Sequence, residues 1–398
     1  MKRVLYLQYV NPAAYPPLGH SSRLLARDGW EVLFLGVKSR ETERLTFTPH
    51  ESITISYLRD CAPGWRQKLH YLKFMLWAIY WTLRWRPRWL YASDFFSCPP
   101  ALLLSFFPGL RVIYHEHDTH TTLGNAFLRS CQRLRHWLAP RAELCVLPNR
   151  ERAESFQREH PQAKVLCVWN CPDSEEVAAR RPARREAEED FWLLYHGSIV
   201  PVRIPPSVLH ALQILPVTVK LRIIGYETIG QRGYIDELQE IARRLGVEQR
   251  IEFIGSVPRR STLLEWGRKS DVGLAFMPKI SSDINMQHMT GASNKPFDYM
   301  ACGLALLVTD SPDWHDLFVA PGYGLACDQQ QHDKLAATIR WLFEHRAETR
   351  EMGERGRQRI LTDWNYEAQF APVLALMNPS SLPAYELPTK QGNSTETA

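Results

Sequence analysis

Short apolar runs alternate with amphipathic stretches along the chain. Val4–Val10 is an apolar run of seven residues. A proline-rich loop from Asn11 to Pro17 leads into a helical pattern at Leu24, Leu25 and Trp30, and Glu31–Val37 reads as a second strand. A strand–loop–helix–strand opening favours a parallel sheet. Further short strands are expected at Arg88–Tyr91, Arg111–His115, Glu143–Leu147 and Val165–Trp169. The rhythm breaks over 172–190, PDSEEVAARRPARREAEED, which is charged and nearly free of large apolar groups and reads as a linker or surface excursion. It restarts at Phe191 with FWLLYHG. Strands then follow at Val217–Gly225, Arg250–Ile254, Asp271–Phe276, Leu304–Thr309 and Gly324–Ala326. Helices are expected at Tyr234–Leu245, Ser261–Lys269, Pro296–Ala301, Gln331–His345 and Glu348–Thr362. The pattern predicts an α/β protein of two doubly wound, Rossmann-like domains, 1–171 and 191–362, facing each other across a cleft. Residues 363–377 are expected to form a helix returning to the first domain, and the Ser/Pro/Thr-rich stretch 378–398 to be disordered. Such units bind ligands outside the carboxyl ends of their strands, so two of them favour an enzyme that joins two substrates.

Composition narrows the class. Of 398 residues, 45% are hydrophobic and 23% charged, which excludes a disordered chain, a collagen and a small disulfide scaffold. Eight cysteines without a CxxC, the nearest pair being Cys167 and Cys171, read as free thiols in a reducing cytosol. Met1-Lys2-Arg3 followed by Val4–Val10 mimics the start of a signal peptide. The apolar run is too short and ends at Asn11-Pro12, so a buried strand and a cytoplasmic location are expected. Charge is split: residues 1–170 carry 23 basic and 13 acidic side chains, residues 171–398 carry 25 and 30. A basic half points to an anionic partner such as membrane, phosphate or nucleic acid.

The densest chemical signal is Ser293-Asn294-Lys295-Pro296-Phe297-Asp298-Tyr299-Met300-Ala301-Cys302-Gly303. A polar loop opens a short helix and Gly303 ends it. Backbone N–H groups at the helix start and the Lys295 ammonium make an anion site. Asp298 stands about one turn further along, where its carboxylate can accept from two hydroxyls. Phosphate beside a diol describes a nucleotide. The plain alternative is a helix start with a solvent-exposed Lys295 and Asp298.

With these residues in view, the second half resembles the donor-binding domain of GT-B-fold glycosyltransferases of the large retaining family 4 type. The matching stretches are LLYHGSIVPVR, LRIIGYE, GVEQRIEFIGSVP, SDVGLAFMP, NKPFDYMACGLALLVTD and YGLACD, over roughly residues 190–365. The first half resembles the acceptor domain more loosely, in the Gly19 turn, WRPRWLYASD and VIYHEHD. The resemblance implies that Asp298 holds the ribose hydroxyls, in place of the second Glu of a Glu-x7-Glu motif. Thr290 stands where the first Glu, near the sugar, is usual. Gly197 would open the phosphate loop, and Arg203 stands where a Lys on the diphosphate is usual. Ser198 replaces an Arg often found there, and Lys295 would supply the missing charge. His117 would lie near the reacting sugar and Gly19 would form a tight turn under the donor phosphates. The implied reaction is retaining and metal-independent, with no cofactor: a nucleotide sugar gives its sugar to a hydroxyl acceptor, expected to be a lipid-linked saccharide or polysaccharide intermediate. No carboxylate stands out as a covalent nucleophile, which agrees with a front-face mechanism guided by the leaving phosphate.

Other readings stay open at this level. A nucleotide-sugar epimerase of the same fold needs acid and base carboxylates in the cleft, and a non-catalytic binding protein would fit Thr290 and Ser198. His115-Glu116-His117-Asp118-x-His120 nearly matches a dimetal motif, with the Asp one position early, so metal binding is not expected. No GxGxxG follows the first strand, which argues against a nicotinamide cofactor. Asp94, after a strand, either faces the cleft or caps a helix, and the cap is the plainer reading. Residues 65–89, WRQKLHYLKFMLWAIYWTLRWRPRW, have an uncharged centre of ten residues, Phe74–Leu83. A spanning helix needs about 20. The segment is either a core helix with a snorkelling basic rim or a helix whose outer face lies on an anionic membrane. Trp77 and Trp81, four apart, share one face. Nucleic acid is not expected, since no RNA-binding motif accompanies the aromatics.

Overall fold

In the computed structural model, residues 1–38, 42–62, 64–119, 124, 126–177 and 190–378 are described. Most of the charged stretch, 178–189, lies outside them, as do His120 and residues 379–398 of the tail. Two all-parallel sheets organise the chain. The first has seven strands: β1 (Arg3–Gln8), β2 (Glu31–Lys38), β3 (Ile53–Arg59), β4 (Trp89–Ser93), β5 (Arg111–His115), β6 (Leu144–Leu147) and β7 (Val165–Cys167). Their order is β3-β2-β1-β4-β5-β6-β7. The second has six: β8 (Phe191–Ile199), β9 (Val219–Glu227), β10 (Ile251–Gly255), β11 (Val272–Ala275), β12 (Ala305–Thr309) and β13 (Gly324–Cys327), ordered β10-β9-β8-β11-β12-β13. Central strands are covered on both faces, so they read as apolar runs rather than alternations. Val4–Leu7 and Leu306–Val308 are completely buried.

Helices clothe both faces of the first sheet. On one side lie α2 (Trp65–Trp85), α3 (Cys98–Leu104), α4 (Ala126–Leu138) and α5 (Arg150–Glu159), burying Phe74, Ala101, Leu138 and Phe156. On the other lie α1 (Pro16–Arg27) and the helix Tyr366–Met377. Tyr366, Phe370 and Val373 pack beside Val4, Tyr6 and Trp30. The chain therefore crosses to the second sheet through α6 (Ser174–Val177) and comes back at its end. Contact between the halves is carried largely by asparagine amides. Asn149 donates to the Thr290 carbonyl at 2.8 Å, Asn170 to the Ala292 carbonyl at 2.7 Å, and Asn285 to the Thr119 carbonyl at 2.9 Å.

At the carboxyl end of β8 the backbone turns sharply. Gly197 has φ 113°, and its partner across the ladder is Gly225. A Cβ at Gly225 would stand 1.8 Å from the Gly197 carbonyl oxygen, so no larger residue fits. Gly225→Ala is expected to cost at least about 2 kcal/mol, from overpacking and strain together. Chemical denaturation reads this, and an unchanged midpoint would show that the two strands can separate here.

Candidate active site

A cavity of about 470 Å³ lies between the carboxyl ends of the two sheets. Eight of the ten residues singled out from the sequence line it: His117, Gly197, Ser198, Arg203, Ser293, Asn294, Lys295 and Asp298. Thr290 and Gly19 do not. The Thr290 hydroxyl turns aside and donates to Asp313 at 2.7 Å. Gly19 forms no turn. It sits inside α1, with Phe47 3.1 Å from where a Cβ would be, and lines a smaller neighbouring pocket. Prolines 16 and 17 start the helix early, because Pro suits the first helical turn. Tyr15, Pro16 and Pro17 face the cavity instead.

Lys295 and Asp298 are not the surface residues of a plain helix start. They are 6% and 2% exposed. Ser293 caps the helix Asn294–Ala301 by position only: its side chain makes no capping bond, and its hydroxyl is buried without a partner among the described residues. The first amides of that helix are thus left without a side-chain cap. Lys295 lies against the β8 turn, so that a Cβ on Gly197 would be 3.1 Å from its ammonium. Burial and the neighbouring Arg203 push the Lys295 ammonium well below the usual lysine range. Arg203 reaches the Met286 sulfur at 3.7 Å.

Asp298 has a partner that sequence reasoning missed. Arg260 grips it with both Nη atoms, Nη1 standing 3.0 Å from one carboxylate oxygen. The same guanidinium donates through Nε to Glu176 of α6 at 2.7 Å. His196 Nε2 stands 3.4 Å from the same Asp298 oxygen that Nη1 holds, and burial drives its imidazole well below the usual pKa.

From the first sheet come His117, Asp118 and Arg152. Asp94, at φ 65°, is no helix cap. Its carboxylate accepts from the His117 amide at 2.9 Å and from the Gln8 side chain at 3.1 Å, which fixes the loop after β5. Arg152 holds the His117 carbonyl at 2.8 Å. The His117 ring lies 5.0 Å from Tyr15 and 4.0 Å from His115, with neither nitrogen hydrogen-bonded among the described residues. Burial lowers its pKa to about 4, so the imidazole is neutral at pH 7. Among the described residues, the cavity therefore sets three basic side chains not paired with a carboxylate, Arg152, Arg203 and Lys295, against the one uncommitted carboxylate, Asp118. That balance suits a dianionic or trianionic ligand beside the neutral His117.

Residues 177–359 match the model of the family described as glycosyl transferases group 1. No curated protein sequence matches the chain. Among solved structures it is similar to sucrose-phosphate synthase from Thermosynechococcus elongatus, with TM-score 0.71 and 13% identity, over 95% of this chain and 99% of that one. It is also similar to Anabaena Alr3699/HepE in complex with UDP, with TM-score 0.68 and 15% identity, over 95% and 100%. A third likeness is to an Escherichia coli structure titled trehalose-6-phosphate bound with UDP-2-fluoro glucose, with TM-score 0.62 and 15% identity, over 94% and 99%. At these identities the likeness shows the fold alone, a GT-B architecture whose second half carries the family match.

Burial and Arg203 lower the Lys295 pKa, and a phosphate beside the ammonium raises it again. Binding of UDP at the pH where the free Lys295 titrates is therefore expected to take up protons, since a nearby anion favours the charged form. Calorimetry in buffers of different ionisation enthalpy measures the uptake, which should shrink in Lys295→Met. Equal uptake in both proteins would remove Lys295 from the phosphate site.

Proposed function

We propose that the protein transfers a sugar from a nucleotide-sugar donor to a hydroxyl of a lipid-linked saccharide at the cytoplasmic face of a membrane. The observation that carries the donor half is the buried anion site, Lys295 and Arg203 beside the Gly197 turn, one helical turn from the Asp298 carboxylate. The solved structures of Alr3699/HepE with UDP and with UDP-glucose add support for a nucleotide-sugar donor. The diphosphate lies against Arg203, Lys295 and the start of the helix Asn294–Ala301, and the ribose hydroxyls reach Asp298.

Transfer is written as a retaining, front-face displacement. The acceptor oxygen forms a bond to the anomeric carbon as the bond from that carbon to the diphosphate breaks. The electron pair leaves with the diphosphate, and the acceptor proton passes to a departing phosphate oxygen. Charge grows on the diphosphate along this path, so preorganised cations lower the barrier. A neutral His117 offers one donor and one acceptor to sugar hydroxyls. No resident metal or cofactor has a role in this scheme. An epimerase is disfavoured because Asp118 and Asp298 are the carboxylates lining the cavity, and Asp298 is bound to Arg260. Arg203→Ala is expected to lower turnover about 10²–10³-fold at saturating donor, with EDTA present, the loss typical of one removed transition-state donor. Wild-type turnover in the mutant would detach Arg203 from the diphosphate. Donor binding with no turnover in the wild-type protein would leave a binding protein.

The membrane half rests on α2. Trp65, Leu69, Leu72, Leu76, Tyr80 and Leu83 form one stripe, each more than half exposed. Trp77 and Trp81 instead pack on the core of the first sheet. Lys73 and Arg84 flank the stripe, each four residues beyond Leu69 and Tyr80. From 65 to 141 the chain carries eleven Lys and Arg but three carboxylates. Those three are engaged inside the fold or line the cavity: Asp94 and Glu116 are hydrogen-bonded there, and Asp118 faces the cleft. An apolar stripe edged by cations suits an anionic lipid surface, each nearby cation contributing about 1 kcal/mol. No helix among the described residues is long and apolar enough to cross a membrane. The double change Leu72→Glu and Leu76→Glu is expected to abolish co-sedimentation with anionic vesicles while leaving the melting temperature unchanged. Trp77→Ser should do the reverse. Vesicle binding that survives the double change would remove α2 from the lipid surface.

A further inference from the structure

The first sheet has a topological switch point of its own. Strand order reverses between β1 and β4, and ligands of open parallel sheets sit outside the strand ends at such a reversal. A second cavity, of about 580 Å³, opens there. Tyr9 and Val10 enter it from the end of β1, Phe96 from the end of β4, Trp65 and Tyr71 from the first turns of α2, and Phe127 from α4. The rings support one another: Tyr9 and Tyr71 meet edge to face at 5.0 Å, Tyr71 and Phe127 at 5.1 Å. Their polar tips are occupied. The Tyr71 hydroxyl donates to the Phe96 carbonyl at 2.7 Å, and the Tyr9 hydroxyl pairs with His70 Nδ1 at 2.8 Å. The wall is therefore mostly ring carbon, with the Gln67 amide and the Lys68 ammonium exposed at its rim.

Two residues tie this cavity to its surroundings. Val10 lines both it and the cleft that holds Lys295. Trp65 lines it and begins the exposed apolar stripe of α2. Whatever fills the cavity lies between the surface stripe and the place of transfer.

We infer that this cavity is the acceptor subsite and that it takes a pyranose ring of a lipid-linked saccharide. The inference rests on the glycosyltransferase reading above and names the substrate class it leaves open. A pyranose presents an apolar C–H face to an aromatic wall and equatorial hydroxyls to a few polar groups, here Gln67 and Lys68. Such pockets are lined mainly by apolar side chains, with few polar groups to fix orientation. Lys68 and Arg66 meet the phosphate that joins saccharide to lipid, since charge-assisted hydrogen bonds to phosphate are strong. The lipid then lies along Trp65–Leu83, and the nucleophilic hydroxyl points past Val10 towards the donor.

Calorimetric titration with octyl β-glucoside below its micelle concentration, in the presence of UDP, tests this. Saturable binding is expected, weakened about tenfold or more by Trp65→Ala and by Gln67→Ala, and unchanged by Phe106→Ala, an exposed side chain outside both the cavity and the stripe. Trp65 and Gln67 are exposed, so both variants should stay folded. UDP affinity, read in the same experiments, should not move. 1-Octanol binding as tightly as octyl glucoside would overturn the sugar subsite in favour of a hydrocarbon slot. Loss of octyl glucoside binding in Leu76→Ala, with none in Gln67→Ala, would overturn it in favour of the surface stripe. No saturable binding, with UDP binding intact, would overturn the subsite alone. No UDP binding in the wild-type protein would overturn the donor reading itself.

Discussion

One buried guanidinium joins the two halves of the molecule. Arg260 holds Asp298, the carboxylate of the second domain that faces the cleft, and Glu176, which belongs to the short helix where the chain crosses between domains. Glu176 and its neighbour Asp173 in turn face His20 and Arg23 of α1, at 3.3–3.7 Å. Six charged or titratable groups thus run without a break from the first domain to the second-domain wall of the cleft. Breaking such a buried pair by removing one partner typically costs 3–5 kcal/mol, because the other charge is left uncompensated. The chain of charges is better viewed as a register than as a source of net stability. It fixes where α6 sits, and with it the angle at which the second sheet meets the first. Domain interfaces as polar as this one, held by asparagine amides and ion pairs, permit relative motion by default. A ribose that hydrogen-bonds to Asp298 also touches Arg260, and so perturbs the crossing point between the domains.

Much of the architecture was legible from periodicity, and particular residues show why the rest was not. The helix Tyr234–Leu245 is bounded as the pattern predicts, because Gly233 and Gly246 punctuate both ends. The buried short strands were legible because buried parallel strands are apolar throughout, but β3, half-exposed at the edge of its sheet, was missed. The turn at Gly19 was implied by the resemblance alone, and the helix that replaces it starts at the prolines. Two prolines at the helix start made the loop shorter than its composition suggests. Asp94 looked like a cap because it follows a strand and precedes a helical stretch. Its positive φ, invisible in sequence, swings the carboxylate towards the next strand's loop. Arg260, His196 and Arg152 could not be placed by spacing. Each comes from a different strand end and meets its partner across 35 or more residues.

The basic aromatic helix shows the limit of composition more sharply. Its four tryptophans drew attention to the aromatic positions, but the exposed stripe is mostly leucine. Trp77, Trp81 and Trp85 pack on the core of the first sheet, where a large flat ring fills space between helix and strands. Helical phase separates these two sets, and the sequence gives every relative phase but no absolute one. Burial of Phe74 and Ala78 sets it. Once those two point inward, Leu72, Leu76 and Leu83 must point outward, and a cationic margin on both sides follows from the same rotation.

Protonation decides what the cleft can do. His117 and His196 are both held neutral by burial, so neither supplies charge to a bound diphosphate at pH 7. Asp298 is balanced by Arg260 and cannot attract a cation strongly. Arg203 and Lys295 lie on the same side of the cavity as the uncapped helix start, while on the opposite wall Asp118 stands with His117 and with Arg152, whose charge offsets that carboxylate. The field across the cavity therefore has a direction. It pulls negative charge towards the second domain and away from the first. A reaction that moves an electron pair from a glycosidic bond onto a diphosphate moves it along that field, whereas attack by a carboxylate from the second domain would oppose it. Burial lowers the Lys295 pKa and a neighbouring anion raises it, so the ammonium is most favoured when an anion stands beside it.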